Sequence, residues 1–162
     1  MEIQSVRDHI RDRPYMSGVE RDRLRVKQTG EVFTPQWLAE QTVNEIERQD
    51  PTAFSDPNRT FLDPACGDGN LLGEVLIRKM ERGLSFDQAL QTIYGVDLMP
   101  DNIELCRQRM LCGSTSEVHK LIVEKNIINA NSIDTRFNNQ FNGSDPYETK
   151  QDQHLKQLFD FV

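Results

Sequence analysis

Cysteine is scarce in this sequence, and no two cysteines are spaced as ligands. Cys66, Cys106 and Cys112 make an odd count without a CxxC pair, which speaks against both a disulfide framework and a zinc site. His9, His119 and His154 share no sequence cluster with acids or cysteines, so they read as surface histidines and not as metal ligands. No apolar run approaches the roughly 18 residues of a membrane span, and "MEIQSVRDHIRDRPY" lacks the hydrophobic core of a signal peptide. The expectation is a cytoplasmic protein with no membrane and no metal. Positive charge is short as well: 19 Lys and Arg stand against 26 Asp and Glu, a formal charge of -7. Non-specific affinity for nucleic acid comes largely from Lys and Arg neutralising phosphates, so any such contact must be local. Only residues 1–30 offer basic ground, with seven Arg and Lys against five Asp and Glu.

What is present fits one domain of 162 residues. Residues 1–30, poor in apolar positions, read as a basic arm or short exposed helix that is either solvated or orders on contact. A core follows over 31–134. It opens with Thr34 as a possible N-cap and Pro35 as first helical residue. Leu38, Ala39, Thr42, Val43 and Ile46 then share one helical face, and Trp37 either packs the helix or lines a cofactor mouth. "TFLD" reads as a short buried strand, and Leu71, Leu72, Val75, Leu76 and Met80 as a helix behind it. Ser85 with Gln88 makes a capping box, "IYGVD" a second strand, and Pro100 the start of a helix with Ile103, Cys106 and Met110 inward. "SEVHKLIVEK" predicts a further helix and "NIINANS" a third strand. Strand and helix alternate, which predicts an α/β fold with a parallel sheet covered by helices on both faces. Residues 135–162 are polar and turn-rich, with only "LKQLFDFV" able to add an element.

The stretch "TFLDPACGDGNLL" holds the chemistry. In parallel sheets ligands bind beyond the carboxyl ends of the strands, where this turn falls. Gly67 and Gly69 permit a tight turn and close approach of backbone to a ligand, although a purely structural turn also wants glycine. Asp63 and Asp68 bracket the glycines and disfavour the phosphates that such turns often receive. Asp97 ends the second predicted strand, where an acid in this topology accepts from both ribose hydroxyls. A nucleoside without phosphates that carries a positive centre and an amino group satisfies these constraints together. S-adenosylmethionine is such a molecule.

"FLDPACGDGNLL" resembles the first cofactor motif of N6-adenine DNA methyltransferases, especially the modification subunits of type I restriction systems and their fused type II relatives. "GEVFTP" upstream is similar to the motif that precedes it in that family, and "YGVDLMPDNIELCRQRM" resembles the second motif and its helix. Over residues 28–134 the resemblance implies a truncated Rossmann-like S-adenosylmethionine-dependent methyltransferase fold. It also implies roles. Thr34 and Pro35 sit beside the methionine carboxylate, and Asp63, Ala65, Cys66, Gly67 and Gly69 form the floor under the methionine moiety. Asp97 takes the ribose hydroxyls, and Leu98 packs on the adenine. Where the family has an Asp accepting from the adenine amino group, this chain has Asn131 in "NANSI", with Asp134 as the nearby alternative; an amide oxygen can also accept. Cys66 is expected to pack, since the transfer needs no covalent intermediate.

The family's catalytic motif has an Asn or Asp, two prolines and an aromatic that hold the amino group of a flipped base. Its one candidate here is "SDPYE", with Asp145, Pro146 and Tyr147. One proline is missing and no apolar strand precedes the motif, so the alternative is an ordinary Asp-Pro turn. The residues that follow are too few for the family's further strands, so the expectation is a natural short form, a fragment, or one half of a site finished by another chain. The expectation is an N6-adenine DNA methyltransferase reduced to its cofactor-binding half. DNA would be met locally through the basic arm, and a homodimer or second subunit would complete the sheet at an edge after strand three. The rival expectation is an inactive relative, a cofactor sensor or a restriction-interfering phage protein.

Overall fold

A computed structural model describes residues 1–12 and 34–133, and the structural statements below concern these residues. Three parallel strands, β1 (Phe61–Asp63), β2 (Ile93–Asp97) and β3 (Ile127–Asn129), form a sheet in the order β1-β2-β3. Phe61 pairs with Ile93 and Asp63 with Gly95, while Gly95 pairs with Ile127 and Asp97 with Asn129. The helices are α1 (Ile3–Asp12), α2 (Gln36–Gln49), α3 (Asn70–Glu81), α4 (Phe86–Gln91), α5 (Pro100–Leu111) and α6 (Glu117–Asn126). None is long and apolar enough to cross a membrane.

The order β1-β2-β3 sends both crossovers along the sheet in one direction. Right-handed parallel crossovers of that kind place their helices on the same face. In agreement, α3 packs on α5 and α4 on α6. The crossover helices between the strands thus share one face, while Val96 and Ile128 on the opposite face are also buried. Side-chain alternation distinguishes the two faces. Ile93, Gly95 and Ile127 meet the helices; a Cβ on Gly95 would lie 2.8 Å from Leu72 and 3.0 Å from Cys66 Sγ, so a bare backbone here lets α3 and the turn close on the sheet. Leu62 and Tyr94 point the other way, and Leu62 is exposed.

Local chemistry explains most boundaries. Pro100 occupies the first turn of α5, the capping box of Ser85 and Gln88 starts α4, and Cys112 in the left-handed region (φ 50°) ends α5. Two expectations shift. Pro35, extended at φ -60° and ψ 149°, is the N-cap of α2, and Thr34 lies one residue outside it. Ala39 and Val43 are buried and Ile46 half-buried, but Trp37 and Leu38 are exposed, so neither packs α2.

The first ten residues are also more than a solvated helix. Val6 and Ile10 of α1 are buried against the core, Ile3 packs beside them, and Arg11 donates from Nε and Nη2 to both carboxylate oxygens of the buried Glu74 on α3 at 3.0 and 2.7 Å. Leu72, Val75, Leu76, Ile77 and Met80 line the core side of α3. This helix joins the two ends of the sheet, its amino terminus at the glycine turn and its last turns beside the chain entering β1.

Candidate functional site

The glycine turn runs from the carboxyl end of β1 into α3. Gly67 (φ 53°) and Gly69 (φ 82°) both occupy the left-handed region that favours glycine. Gly69 is also the N-cap of α3, and a Cβ there would lie 2.6 Å from Cys106 Sγ. Both conformation and space therefore require glycine at this position.

Asp97, at the carboxyl end of β2, reaches back to this turn. Its Oδ2 accepts from the Gly67 N–H at 2.9 Å, while Oδ1 accepts from the Met99 N–H at 2.8 Å and from the Asn102 amide at 3.2 Å. The two oxygens of a carboxylate offer roughly four acceptor directions, so hydroxyl donors can share this group. Asp63 accepts from the Ala65 N–H at 3.1 Å. Burial raises its pKa, and the charge of Asp97 adds to that effect.

Asp68 does something different from what its sequence position suggests. It is buried and ion-paired with Arg109 of α5, Oδ2 to Nη2 at 2.7 Å. Its charge is thus neutralised within the fold, whereas Asp63 and Asp97 are half-buried at the strand ends. Arg109 also donates to Asn70 Oδ1, and Asn70 Nδ2 donates to the Thr34 carbonyl at 2.7 Å. Thr34 and the start of α3, separate in sequence, are therefore in contact. Pro35, next to Thr34, is exposed.

Cys66 and Cys106 are buried, and Cys66 Sγ donates to the Gly67 carbonyl at 3.8 Å. The neighbouring Cys106 side chain, followed by burial, raises the Cys66 pKa far above the usual thiol range, which suits packing and not nucleophilic attack. Ala65 and Leu98 are exposed at the rim. The backbone beyond β3 folds back over the site: Asn129 Nδ2 donates to the carbonyls of Asp97 and Leu98 at 2.9 Å, and Ser132 Oγ to the Pro64 carbonyl at 2.6 Å. Asn131 is exposed and its Oδ1 accepts from the Ile133 N–H at 3.2 Å, a local turn bond. Asp134, Asp145, Pro146, Tyr147 and His154 lie outside the described residues.

Two histidines differ from the surface reading. His9 is buried on α1. His119 of α6 sits between Asp87 and Ser114, with Ser114 Oγ 2.6 Å from Nδ1. Ser114 Oγ also accepts from the Ser116 N–H at 3.2 Å, so the group ties α4 to the turn before α6. These pairings join residues distant in sequence, and no local spacing announces them.

Fold and site together define an α/β protein whose glycine turn and acidic strand end meet at the carboxyl end of a parallel sheet. A family model for N-6 DNA methylases matches residues 22–157. The chain belongs to the N-6 DNA methylase family. The match extends past the region carrying the three motifs to include Asp145, Pro146 and Tyr147. No curated protein and no solved structure matches the chain.

Proposed function

We propose that this chain is the cofactor-binding core of an S-adenosylmethionine-dependent DNA methyltransferase of the N6-adenine type, related to restriction-modification subunits. The observation that carries this reading is the Asp97 carboxylate holding the Gly67 amide at 2.9 Å. That contact brings the acid and the glycine turn together at the carboxyl end of the sheet, and family membership gives the pairing a purpose.

The donor set fits the cofactor. Asp97 has acceptor capacity for ribose hydroxyls, Asp63 favours a cationic ligand over a phosphate, and the exposed Leu98 is free to pack on a base. Thr34, Pro35, Ala65, Cys66, Gly67 and Gly69 would make the floor and wall of the methionine end, with Asn131 as an adenine acceptor once its turn bond to Ile133 is exchanged. S-adenosylmethionine supplies an electrophilic methyl group when bound. The chain's part is to hold and orient, and in this reading Asp145 and the Pro146 carbonyl accept from the target amino group while Tyr147 stacks on the flipped base. A second copy or another subunit completes the assembly around the DNA.

Incubation with S-adenosylmethionine labelled in the methyl group, then unmodified DNA, tests the reading. Label should appear in N6-methyladenine and should vanish with Asp145→Ala. Label retained by the protein but never transferred, with or without DNA and at any protein concentration, favours the inactive cofactor-binding relative. No retention at millimolar ligand removes the cofactor assignment.

A further inference from the structure

We infer that Arg109 is the positioning residue that holds the glycine turn and the segment preceding α2 in register with each other. This deepens the proposed function and rests on it where cofactor affinity is concerned. Arg109 is almost fully buried. One arm of its guanidinium is ion-paired with Asp68, between the two glycines, at 2.7 Å; the other donates to Asn70, the first residue of α3. The Asn70 amide then uses its remaining end to donate to the Thr34 carbonyl at 2.7 Å.

The chain of bonds therefore runs from α5 through the turn to the residue before α2. Each member has a directional reason to be what it is. A guanidinium presents a planar fork that serves two acceptors at once, which a lysine ammonium does not reproduce. A side-chain amide accepts at its oxygen and donates from its nitrogen, so Asn70 can pass the constraint on. Asp68 fixes the headgroup by charge. Such a relay sets where the Gly67 and Gly69 backbone lies relative to Thr34, the two walls between which the methionine end of the cofactor is proposed to sit. A displacement of about 1 Å at such walls is enough to cost affinity or rate.

Hydrogen exchange on the whole chain without ligand tests the relay directly. Asn70→Ala, which leaves the Asp68–Arg109 pair intact, should raise exchange over residues 34–40 and leave 67–70 as in the wild type. Arg109→Lys keeps a cation on Asp68 but loses the fork, and should raise exchange in both stretches while β3 and α6 are unchanged. Exchange raised equally throughout the fold indicates a purely structural role and overturns the inference; so does no change in either stretch. Titration with S-adenosylmethionine supplies the second readout. Asn70→Ala should weaken binding several-fold and Arg109→Lys about tenfold, with folded content unchanged by circular dichroism. If the wild type binds no cofactor, the proposed function fails while the exchange pattern still decides the relay. Binding by both variants equal to wild type removes the link between relay and cofactor.

Discussion

The two ends of the sheet both bury charge, but they treat it differently. At the amino ends of the strands, Lys79 of α3 is fully buried and donates to the Arg59 carbonyl at 2.6 Å and to Thr92 Oγ1 at 2.8 Å, beside the stacked rings of Phe54 and Phe61. Its partners are neutral groups of the chain entering β1 and β2, so it fastens loops and is closed to solvent. At the carboxyl ends, Asp68 is silenced by Arg109, yet Asp63 and Asp97 remain half-buried beside a glycine backbone held in the left-handed region. One end is sealed, and the other leaves its acceptors half-exposed. Buried charge alone thus does not identify a site; what matters is whether its partners exhaust it.

The largest effect is expected from breaking the silent pair. Arg109→Met removes the guanidinium that pairs with the buried Asp68, and stability should fall by about 3–5 kcal/mol. Adding Asp68→Asn removes the buried negative charge and should restore much of that loss, as urea midpoints will show. Gly69→Ala comes next. It forces a side chain to φ 82° and toward Cys106 Sγ, costing about 1–3 kcal/mol. Adding Cys106→Ala should relieve the contact and leave the backbone cost.

At the sealed end the expected effect is smaller and depends on pH. Burial lowers the Lys79 pKa from the ordinary 10.5 to about 8. Between these values the unfolded chain binds the proton and the folded chain has released it, so this group's contribution makes stability rise with pH from about 8 to 10.5. Below pH 8 both states are protonated and the desolvation cost is constant. Lys79→Met should abolish that part of the slope and change neutral-pH stability by about 1–2 kcal/mol, since lost hydrogen bonds are offset by relieved charge burial. Cofactor affinity should be untouched. A wild-type slope unchanged in Lys79→Met would show that the lysine does not distinguish this end. The smallest effect belongs to Trp37→Ala, within about 0.5 kcal/mol, because Trp37 is exposed.

The same contrast explains what could be read in advance. Features carried by neighbours were legible: the capping box at Ser85, the proline opening α5, the strand ending in Asp97 and the glycine turn. So were the inward positions Ile103, Cys106 and Met110, which follow helical spacing. The packing of α1 was present as Ile3, Val6 and Ile10 at helical spacing, but so short a stripe does not reveal a partner surface. Trp37 and Leu38 misled because hydrophobic type identifies a candidate for burial, not the direction in which α2 docks. Asp68 with Arg109, His119 with Asp87 and Lys79 with Arg59 were illegible for a plainer reason. Their partners are brought together by the crossovers, and tertiary proximity has no local signature. The one-faced arrangement of the crossover helices likewise depends on strand order, which alternation leaves open.

Calorimetric titration of the whole chain with S-adenosylmethionine and, side by side, with ATP tests the central claim most directly. The account predicts that S-adenosylmethionine binds and ATP does not, because Asp63 and Asp97 disfavour phosphate. Asp97→Ala should weaken S-adenosylmethionine at least tenfold, by removing hydrogen bonds from ribose to a charged acceptor worth about 1.5–3 kcal/mol each. Comparable binding of ATP, no heat with S-adenosylmethionine at millimolar concentration, or undiminished affinity in Asp97→Ala would contradict it.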